Sequence, residues 1–440
     1  PLVDKFVMNI NGPVYMSNGE INTMISSNFE IFNMHFSKSH PLCGIATGSP
    51  SSVTDGSYSQ ILIYTKNGGI DWELSNIYEK ENTYELAEGV VSASLNTFTE
   101  CFMIDNSYGL VSGNNSAFYY TNNGAVDWYR LSYGSSYETV ISTALAGHKV
   151  TIDGSPIYRF YNAFQGANNK SKIRMFDISQ SHIDASLNGQ SDILQHANEF
   201  DTDGQSIENI TSMDVSGNHL YIVGNTGIEK LDVSANIVTF PSANTTYHRT
   251  ASSSGVGAGI NQLQYNHVRS FNDTSILAVG NNLLSVSTDG TNWTDVSINM
   301  INNIGDVSLN QSFILDTSNA IAVGNKGTFL YSRNWPDVNS WQRFSPGLVN
   351  GSENRLIDIS NQLTGVYMSD LNNVIVASAT SKYNNTNLGT SSMLNMFVPR
   401  LFNEKNNNIL EVSGNMILTG DLRVEGTTFA NEFNYKPLDA

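Results

Sequence analysis

Short apolar runs broken by turn residues recur along the middle of the chain. Residues 276–297 read ILAVGNNLLSVSTDGTNWTDVS, two apolar runs separated by Gly-Asn-Asn and followed by Ser-Thr-Asp-Gly and a Trp. Short runs of β-branched and small residues between clusters of Gly, Asn and Ser predict β-strands joined by tight turns. The pattern therefore favours an all-β chain over a helical one.

The same pattern recurs in residues 61–74, 117–131, 284–296 and 329–344. Each copy has an apolar-aromatic strand, then Thr or Ser, Asn or Asp two positions later, and a Trp before a short strand. A strand of small residues precedes each copy, as in Ala320-Ile-Ala-Val-Gly324, and another such strand, 220–225, lacks the following Trp. The Gly in this strand suits either a positive φ or a close approach of the backbone.

A period of roughly 45 to 55 residues, with about four strands in each unit, predicts a β-propeller. One four-stranded blade exposes two apolar faces, and packing the blades in a ring buries both. We predict an all-β fold, a β-propeller of about seven four-stranded blades over residues 27–402, in which the Trp side chains fill the space between blades. The predicted blades are 27–80, 81–135, 136–190, 205–250, 260–300, 304–348 and 352–402.

The form Ser/Thr-x-Asp/Asn-x-Gly-x-x-Trp resembles the Asp-box, or BNR repeat, of sialidase-like propellers. The matching positions are Thr65, Asn67, Gly69 and Trp72; Thr121, Asn123, Ala125 in place of Gly, and Trp128; Ser287, Asp289 and Trp293, one residue shorter; and Ser332, Asn334 and Trp341, with an insertion. The resemblance implies a hairpin turn on the rim of the propeller, away from its central pocket.

The residue type at the Asp/Asn position of this motif distinguishes a structural turn from a catalytic site. Three of the four copies carry Asn, and only the copy at Asp289 carries a carboxylate. A general acid or a metal-binding carboxylate needs the carboxyl group, whereas Asp and Asn both accept backbone N–H bonds within a turn. We therefore predict that Asp289 stabilises a turn and performs no chemistry.

The two motifs together are also similar to the propellers of photosystem II assembly and stability factors, over most of residues 27–402. This resemblance implies a propeller that binds proteins and has no catalytic activity. The basic, arginine-lined surfaces of those factors are not evident in this sequence.

Charge and cysteine content restrict the function further. The formal net charge is −18, and only 14% of the residues are charged. Nucleic-acid binding requires clustered Lys and Arg, so neither a nucleic acid nor an anionic membrane is an expected partner. No apolar run is long enough to cross a membrane. Cys43 and Cys101 are expected to be free thiols, with a single bridge between them as the alternative.

The search for catalytic and metal sites gives no committed residue. A sialidase requires three arginines, a Tyr–Glu pair and an acid in the central pocket, and the sequence does not bring its arginines together there. Asp201, Asp203 and Glu208 resemble part of a calcium loop, but a polar loop between blades explains them better. No catalytic residue, metal ligand or cofactor is predicted. The polar segments 241–261 and 378–392 are either binding loops or segments without fixed structure.

The two ends of the chain have a different pattern. Residues 409–429 alternate apolar and polar side chains and carry Gly414, Gly420 and Gly426 at six-residue intervals, and residues 8–21 show a similar rhythm. This pattern is similar to the shafts of phage tail fibres and large-virus fibres, which implies a homotrimer. We predict shaft-like segments at 1–26 and 403–440; closing strands of the propeller are the alternative.

The sequence as a whole favours a non-enzymatic viral structural protein, a fibre or capsid-surface spike. Its expected place is the virion surface, after assembly in the host cytoplasm, and its expected partners are further copies of itself, other virion proteins and a host glycan. Two alternatives stay open: a sialidase-type glycoside hydrolase, and an intracellular, assembly-factor-like propeller that binds proteins.

Overall fold

The computed structural model describes only part of the chain. The described residues are 29–50, 60–69, 72–78, 85–86, 90–91, 98–113, 118–131, 141–152, 154–165, 171–178, 198–201, 209–225, 227–234, 264–296, 307–343, 362–370, 373–379 and 393–397. The predicted shaft-like segments 1–26 and 403–440, and nearly all of the polar segments 241–261 and 378–392, lie outside them.

The described strands form seven sheets that follow one another along the chain. Sheet 1 contains β1 (Phe29–Phe36), β2 (Gly44–Pro50), β3 (Gln60–Thr65), β4 (Glu73–Leu74) and, later in the chain, β7 (Val90–Val91). Sheet 2 contains β5 (Asn76–Tyr78), β6 (Glu85–Leu86), β8 (Phe98–Met103), β9 (Gly109–Gly113), β10 (Phe118–Thr121) and β11 (Asp127–Arg130). Sheet 3 contains β12 (Ile141–Ile152), β13 (Ser155–Gln165), β14 (Ser171–Ile178) and β15 (Asn198–Asp201).

The remaining four sheets are built in the same way. Sheet 4 contains β16 (Ile210–Ser216), β17 (His219–Gly224) and β18 (Gly227–Asp232). Sheet 5 contains β19 (Tyr265–Ser270), β20 (Ile276–Gly280), β21 (Leu283–Ser287) and β22 (Thr294–Asp295). Sheet 6 contains β23 (Leu309–Ile314), β24 (Ala320–Gly324), β25 (Phe329–Ser332) and β26 (Gln342–Arg343), and sheet 7 contains β27 (Gln362–Asp370), β28 (Asn373–Ala379) and β29 (Met393–Phe397).

The strand count corrects the sequence analysis. Six sheets have three to five described strands and sheet 2 has six, so the prediction of four strands in every blade is wrong. After the first Trp, β5 leaves sheet 1 and pairs in parallel with β11, while β7 returns to pair with β3. The repeat period counts residues, and it does not reveal which neighbouring sheet a short outer strand joins.

The sheets close into a ring around a central axis. The innermost strands are β1, β8, β12, β16, β19, β23 and β27, each of which contacts the innermost strand of the next sheet. The last of them, β27, also contacts β1, so the described residues alone close the ring. The fold is therefore an all-β β-propeller, as the repeat predicted.

The apolar cores lie between neighbouring sheets rather than in one centre. Trp72 packs with Phe36 of sheet 1 and Tyr367 of sheet 7, and Trp128 packs between sheets 1 and 2. Trp335 and Trp341 fill the space between sheets 5 and 6. The prediction that Trp side chains fill the spaces between blades is confirmed at these positions.

The glycine of the small-residue strand is needed for a close approach. A Cβ on Gly324 would collide with the backbone oxygen of Ser308, at the start of the innermost strand of the same sheet. The next amide, on Asn325, donates to that oxygen at 2.8 Å. Gly280 and Asn281 repeat the arrangement on Gln264 in sheet 5. The sequence left open whether this glycine is needed for a positive φ or for a close approach of the backbone. At Gly280 and Gly324 it is needed for the close approach.

Candidate functional site: the central channel and the turn face

A cavity of about 260 Å³ lies on the axis of the ring and is lined by all seven innermost strands. Each of these strands has one irregularity in its register near its beginning. A β-bulge leaves one residue without a partner across the ladder and re-aims its side chain. The bulged residues are Phe32, Thr99, Thr143, Thr211, Asn266, Asn310 and Thr364.

Five of the bulged side chains donate to the next sheet in the ring. Thr99 donates to the backbone oxygen of Ser142 at 3.0 Å, and Thr211 donates to that of Tyr265 at 2.6 Å. Asn266 donates to Leu309 and Asn310 to Leu363, both at 2.8 Å. Thr364 donates to Ile31 at 2.7 Å and so joins sheet 7 to sheet 1. In each case the acceptor is the residue directly before the next bulge.

The bulged residues and the residues directly after them form one end of the channel, which we call the amide end. The residues directly after the bulges are Asn33, Glu100, Ala144, Ser212, His267, Gln311 and Gly365. The Asn33 amide donates to Glu100 Oε2 at 2.7 Å. Burial raises the pKa of Glu100 well above its ordinary value, against the lowering effect of this hydrogen bond. Burial therefore favours the protonated form of Glu100.

The opposite end, which we call the charged end, contains Asp214 and Arg269, two residues further along their strands, and Lys38, which follows the end of β1. Lys38 Nζ donates to Asp214 Oδ2 at 2.8 Å and to Ser270 Oγ at 2.9 Å. Sheets 1 and 4 are not neighbours, so this ion pair crosses the channel. The guanidinium of Arg269 lies 5.2 Å from the ring centre of Phe313. The Lys38–Asp214 pair therefore couples opposite sides of the ring, whereas Arg269 and Phe313 belong to the neighbouring sheets 5 and 6.

The pKa values at the charged end follow from burial and from this pairing. Burial alone would raise the pKa of Asp214, but Lys38, Arg269 and the Ser270 amide lower it to about 2. Burial lowers the pKa of Lys38 to about 8, against the raising effect of Asp214. We interpret both as an ion pair at neutral pH, because Asp214 also accepts the Ser270 amide at 2.6 Å.

The predicted turn residues lie away from the channel, between the third and fourth strands of their sheets. Asp289 Oδ1 accepts the amides of Thr291 at 2.8 Å and Asn292 at 2.7 Å. These hydrogen bonds hold the pKa of Asp289 well below its usual range. The predicted role of Asp289 in a turn is confirmed, and none of its contacts reaches the channel.

The Asn copies form related turns through the preceding hydroxyl. Thr121 Oγ1 accepts the amide of Ala125 at 3.1 Å, and Trp128 Nε1 donates to the Ala125 oxygen at 3.1 Å. Ala125 has a φ of 68°, a left-handed conformation that favours the Gly expected at this position. The first copy has the same bonds, from Gly69 to Thr65 and from Trp72 to Gly69.

A second set of turns, between the first and second strands, was missed by the sequence analysis. Asp105 Oδ1 accepts the amides of Ser107 and Tyr108, both at 2.8 Å, and Asn272 and Asp316 accept two amides each in the same way. The signal in the sequence is Asp or Asn followed two or three positions later by Ser, which is typical of an Asx turn.

Both sets of turns lie at the charged end and contact each other within a sheet. The Gly68 amide donates to Leu42 O, Gly124 to Ser107 O, and Trp335 to Ser318 O, at 2.8 to 3.0 Å. We call this surface the turn face. It carries the exposed side chains of Leu42 and Phe271, which are 54% and 39% accessible.

Several alternatives from the sequence can be compared with the described residues. Arg269 is the single arginine among the described residues that line the cavity, whereas a sialidase pocket requires three. Arg159 instead pairs with Asp177 at 2.7 Å, and Arg174 covers Phe164. Cys43 and Cys101 are free thiols, as expected.

The described part of the chain contains no cluster of three or more His, Cys, Asp or Glu side chains that could hold a metal ion. Asp203 and Glu208 of the partial calcium loop lie outside that part. The described residues also include no helix long and apolar enough to cross a membrane.

Comparison with known proteins gives only distant structural similarity. No protein-family description matches the sequence, and no curated protein matches it. Solved structures that are similar include YCF48 from Cyanidioschyzon merolae, with 12% identity, 85% of this chain and 97% of that chain covered, and a TM-score of 0.47. The extracellular domain of the putative hybrid two component system BT4673 from B. thetaiotaomicron has 11% identity, coverages of 88% and 39%, and a TM-score of 0.48.

The GH74 xyloglucanase from Xanthomonas campestris has 10% identity, coverages of 79% and 50%, and a TM-score of 0.45. Similarity this distant says nothing about what the chain binds or does. The class of the protein is defined by its own ring of sheets: it is a β-propeller with a polar central channel.

Proposed function

We propose that this chain is a non-enzymatic, protein-binding propeller and that its partner contacts the turn face. The proposal depends on one observation, the exposure of Leu42 in sheet 1 and of Phe271 in sheet 5 on the same face of the ring. Large apolar side chains exposed on a rigid surface are typical anchor points of protein interfaces.

Hydrogen bonds fix the two turns that carry these side chains. Lys38, in the turn that carries Leu42, donates to Ser270 Oγ, directly before Phe271. The Leu42 oxygen accepts the Gly68 amide at 2.8 Å, and the Phe271 amide donates to Ser275 O at 2.9 Å. Both turns are therefore fixed before a partner arrives, which reduces the entropy lost on binding.

The experiment compares two surface variants of the full chain. Proteins captured by cross-linking are identified, and binding of each purified candidate is then measured directly. We expect Leu42→Ser/Phe271→Ser to weaken binding of the true partner about tenfold or more, because hot-spot side chains each contribute about 2 kcal/mol. Ile141→Ser is the matched control, since Ile141 is 51% exposed at the other end of the ring. Unchanged binding by the double variant contradicts the proposal.

The finer role remains the prediction made from the ends of the chain. A fibre or spike on a virion surface and a homotrimer depend on residues 8–21 and 409–429, whereas a host glycan would be bound by loops on one face of the propeller. The mass of the full chain in solution tests the trimer, and a glycan array tests the glycan. A monomer favours the intracellular assembly-factor-like alternative, in which the same turn face binds a protein.

A further inference from the structure

The amide end of the channel presents hydrogen-bond acceptors. The side-chain amides of Asn266 and Asn310 donate to backbone oxygens of the next sheet, both at 2.8 Å. A backbone oxygen can only accept, so the orientation of both amides is fixed by the ring. The side-chain amide of Asn33 also donates a hydrogen bond, to Glu100 Oε2 at 2.7 Å. All three residues line the cavity, and within the described part of the chain their side-chain oxygens have no hydrogen-bond donor.

Glu100 adds a carboxyl group to these acceptors. It lines the cavity, and its one hydrogen bond within the described part of the chain comes from Asn33. The corresponding positions in the next two sheets hold Ala144 and Ser212, whose small side chains leave space beside the carboxyl. A ligand with N–H donors and a positive charge matches the chemistry of these four groups.

The basic groups of the channel do not occupy this space. Lys38 is held by Asp214, Ser270 and the Val215 oxygen, and Arg269 lies against Phe313. Arg269 is two residues beyond His267 on its strand, which corresponds to about 6 to 7 Å along the axis. The two ends therefore differ in chemistry: cations are bound at one, and acceptors are exposed at the other.

We propose that the amide end binds an organic cation, an ammonium or guanidinium group, with Glu100 as its counter-ion and Asn33, Asn266 and Asn310 as acceptors. Because burial favours the protonated carboxyl, pairing with a cation shifts Glu100 towards its ionised form, and the proton goes to solvent. The net charge of −18 attracts cations to the chain over a longer range. This site is separate from the turn face and does not depend on the proposed partner.

The test is calorimetry on the full chain with n-butylguanidinium and n-butylammonium, and with N-butylurea as the neutral analogue. We expect the cations to bind, the urea not to bind, and the measured heat to vary with the ionisation enthalpy of the buffer, because a proton is released. Equal binding of the urea, or no binding of either cation, overturns the proposal.

Two variants test whether the cation binds at Glu100. Glu100→Gln should weaken cation binding about tenfold or more, since it removes a charge-assisted hydrogen bond. Glu229→Gln is the matched control: Glu229 is also a buried carboxyl, whose pKa burial raises to about 7, but it does not line the cavity. Equal losses in both variants contradict the assignment. If Glu100→Gln fails to fold by thermal unfolding, the urea and buffer comparisons still decide.

The cation has two possible sources, a basic side chain of a protein or a free amine. A Gly-Gly-Arg-Gly-Gly peptide is therefore compared with the same peptide carrying citrulline. Binding of the Arg peptide assigns a side chain as the ligand, and binding of the butyl cations alone assigns a small amine. Either result supports the cation site, independently of the Leu42 and Phe271 variants.

Discussion

The rim turns and the central channel use similar side chains over very different separations in sequence. In the turn at Asp289, the carboxylate bonds to amides two and three residues away. In the channel, Asp214 pairs with Lys38 across 176 residues. The first kind of contact stabilises one turn of one sheet. The second connects sheets that are not neighbours, so its removal should affect the whole ring.

The largest effect is expected from Asp214→Ala. The substitution leaves the buried Arg269, and Lys38 with a side chain that is 32% exposed, without their carboxylate. Breaking a fully buried pair from one side costs about 3–5 kcal/mol, so we expect a loss at the lower end of this range. Urea unfolding of the wild type and the variant measures the loss. If the loss is no larger than that of a rim variant, the channel pair does not stabilise the ring more than a turn does.

The second-largest effect is the pH dependence of stability that arises from His267. Burial lowers the pKa of His267 from 6.5 to about 3; Arg269 and Lys38 also lower it, and Asp214 opposes them. The unfolded state therefore binds the extra proton between about pH 6.5 and pH 3, and stability falls as the pH falls through this range. For each extra proton that the unfolded state binds, the free energy of unfolding changes by about 1.4 kcal/mol per pH unit.

His267→Asn tests this dependence. Its Oδ1 can accept the Ser312 amide, which lies 3.3 Å from His267 Nδ1. We expect the variant to lose less stability than the wild type between pH 6 and pH 4, by about 2 kcal/mol. Glu100 and His35 also titrate near this site, but they contribute to both proteins and cancel in the difference. Parallel pH profiles would contradict a neutral, buried His267.

The third effect concerns the links between neighbouring sheets. Thr364→Val removes the hydrogen bond to Ile31 that joins sheet 7 to sheet 1, and we expect a loss of about 1–2 kcal/mol in urea unfolding. Thr143→Val is a matched control, because the Thr143 hydroxyl is buried without a hydrogen-bond partner. It should be neutral or stabilising. Equal losses in the two variants would mean that the bulge hydroxyls do not connect the ring.

The smallest effect is expected at the rim. Asp289→Ala removes the acceptor of two amides and should cost about 1 kcal/mol, whereas Asp289→Asn keeps an oxygen in place and should cost less. Thermal unfolding distinguishes the two. A larger loss for the Asn variant than for the Ala variant would show that the negative charge matters there, contrary to the role of a turn acceptor.

The sequence predicted the parts of this fold that depend on neighbouring residues. The repeated strand, turn and Trp gave the propeller, the packing of Trp128 between sheets and the turn at Asp289. The same reasoning could have found the second set of turns from Asp105, Asn272 and Asp316, since each bonds to amides two and three positions later.

The four-strand blade was wrong, because β5 pairs with a sheet that the repeat does not assign to it. The residues that line the channel, and the contacts between them, were not predicted. Glu100, Asp214 and His267 lie in unremarkable strands, and their roles come from residues of other sheets that close the ring around them.

By itself, the sequence determined the class of fold and the turns of the rim, because strand alternation, turn chemistry and a repeat period are properties of residues close together in the chain. Only the tertiary structure decided the polar channel, the ring of hydrogen bonds from the bulges and the pairing of Lys38 with Asp214. These contacts exist because closing the ring brings distant strands to one axis. No local pattern in the sequence indicates which residues of those strands come into contact there.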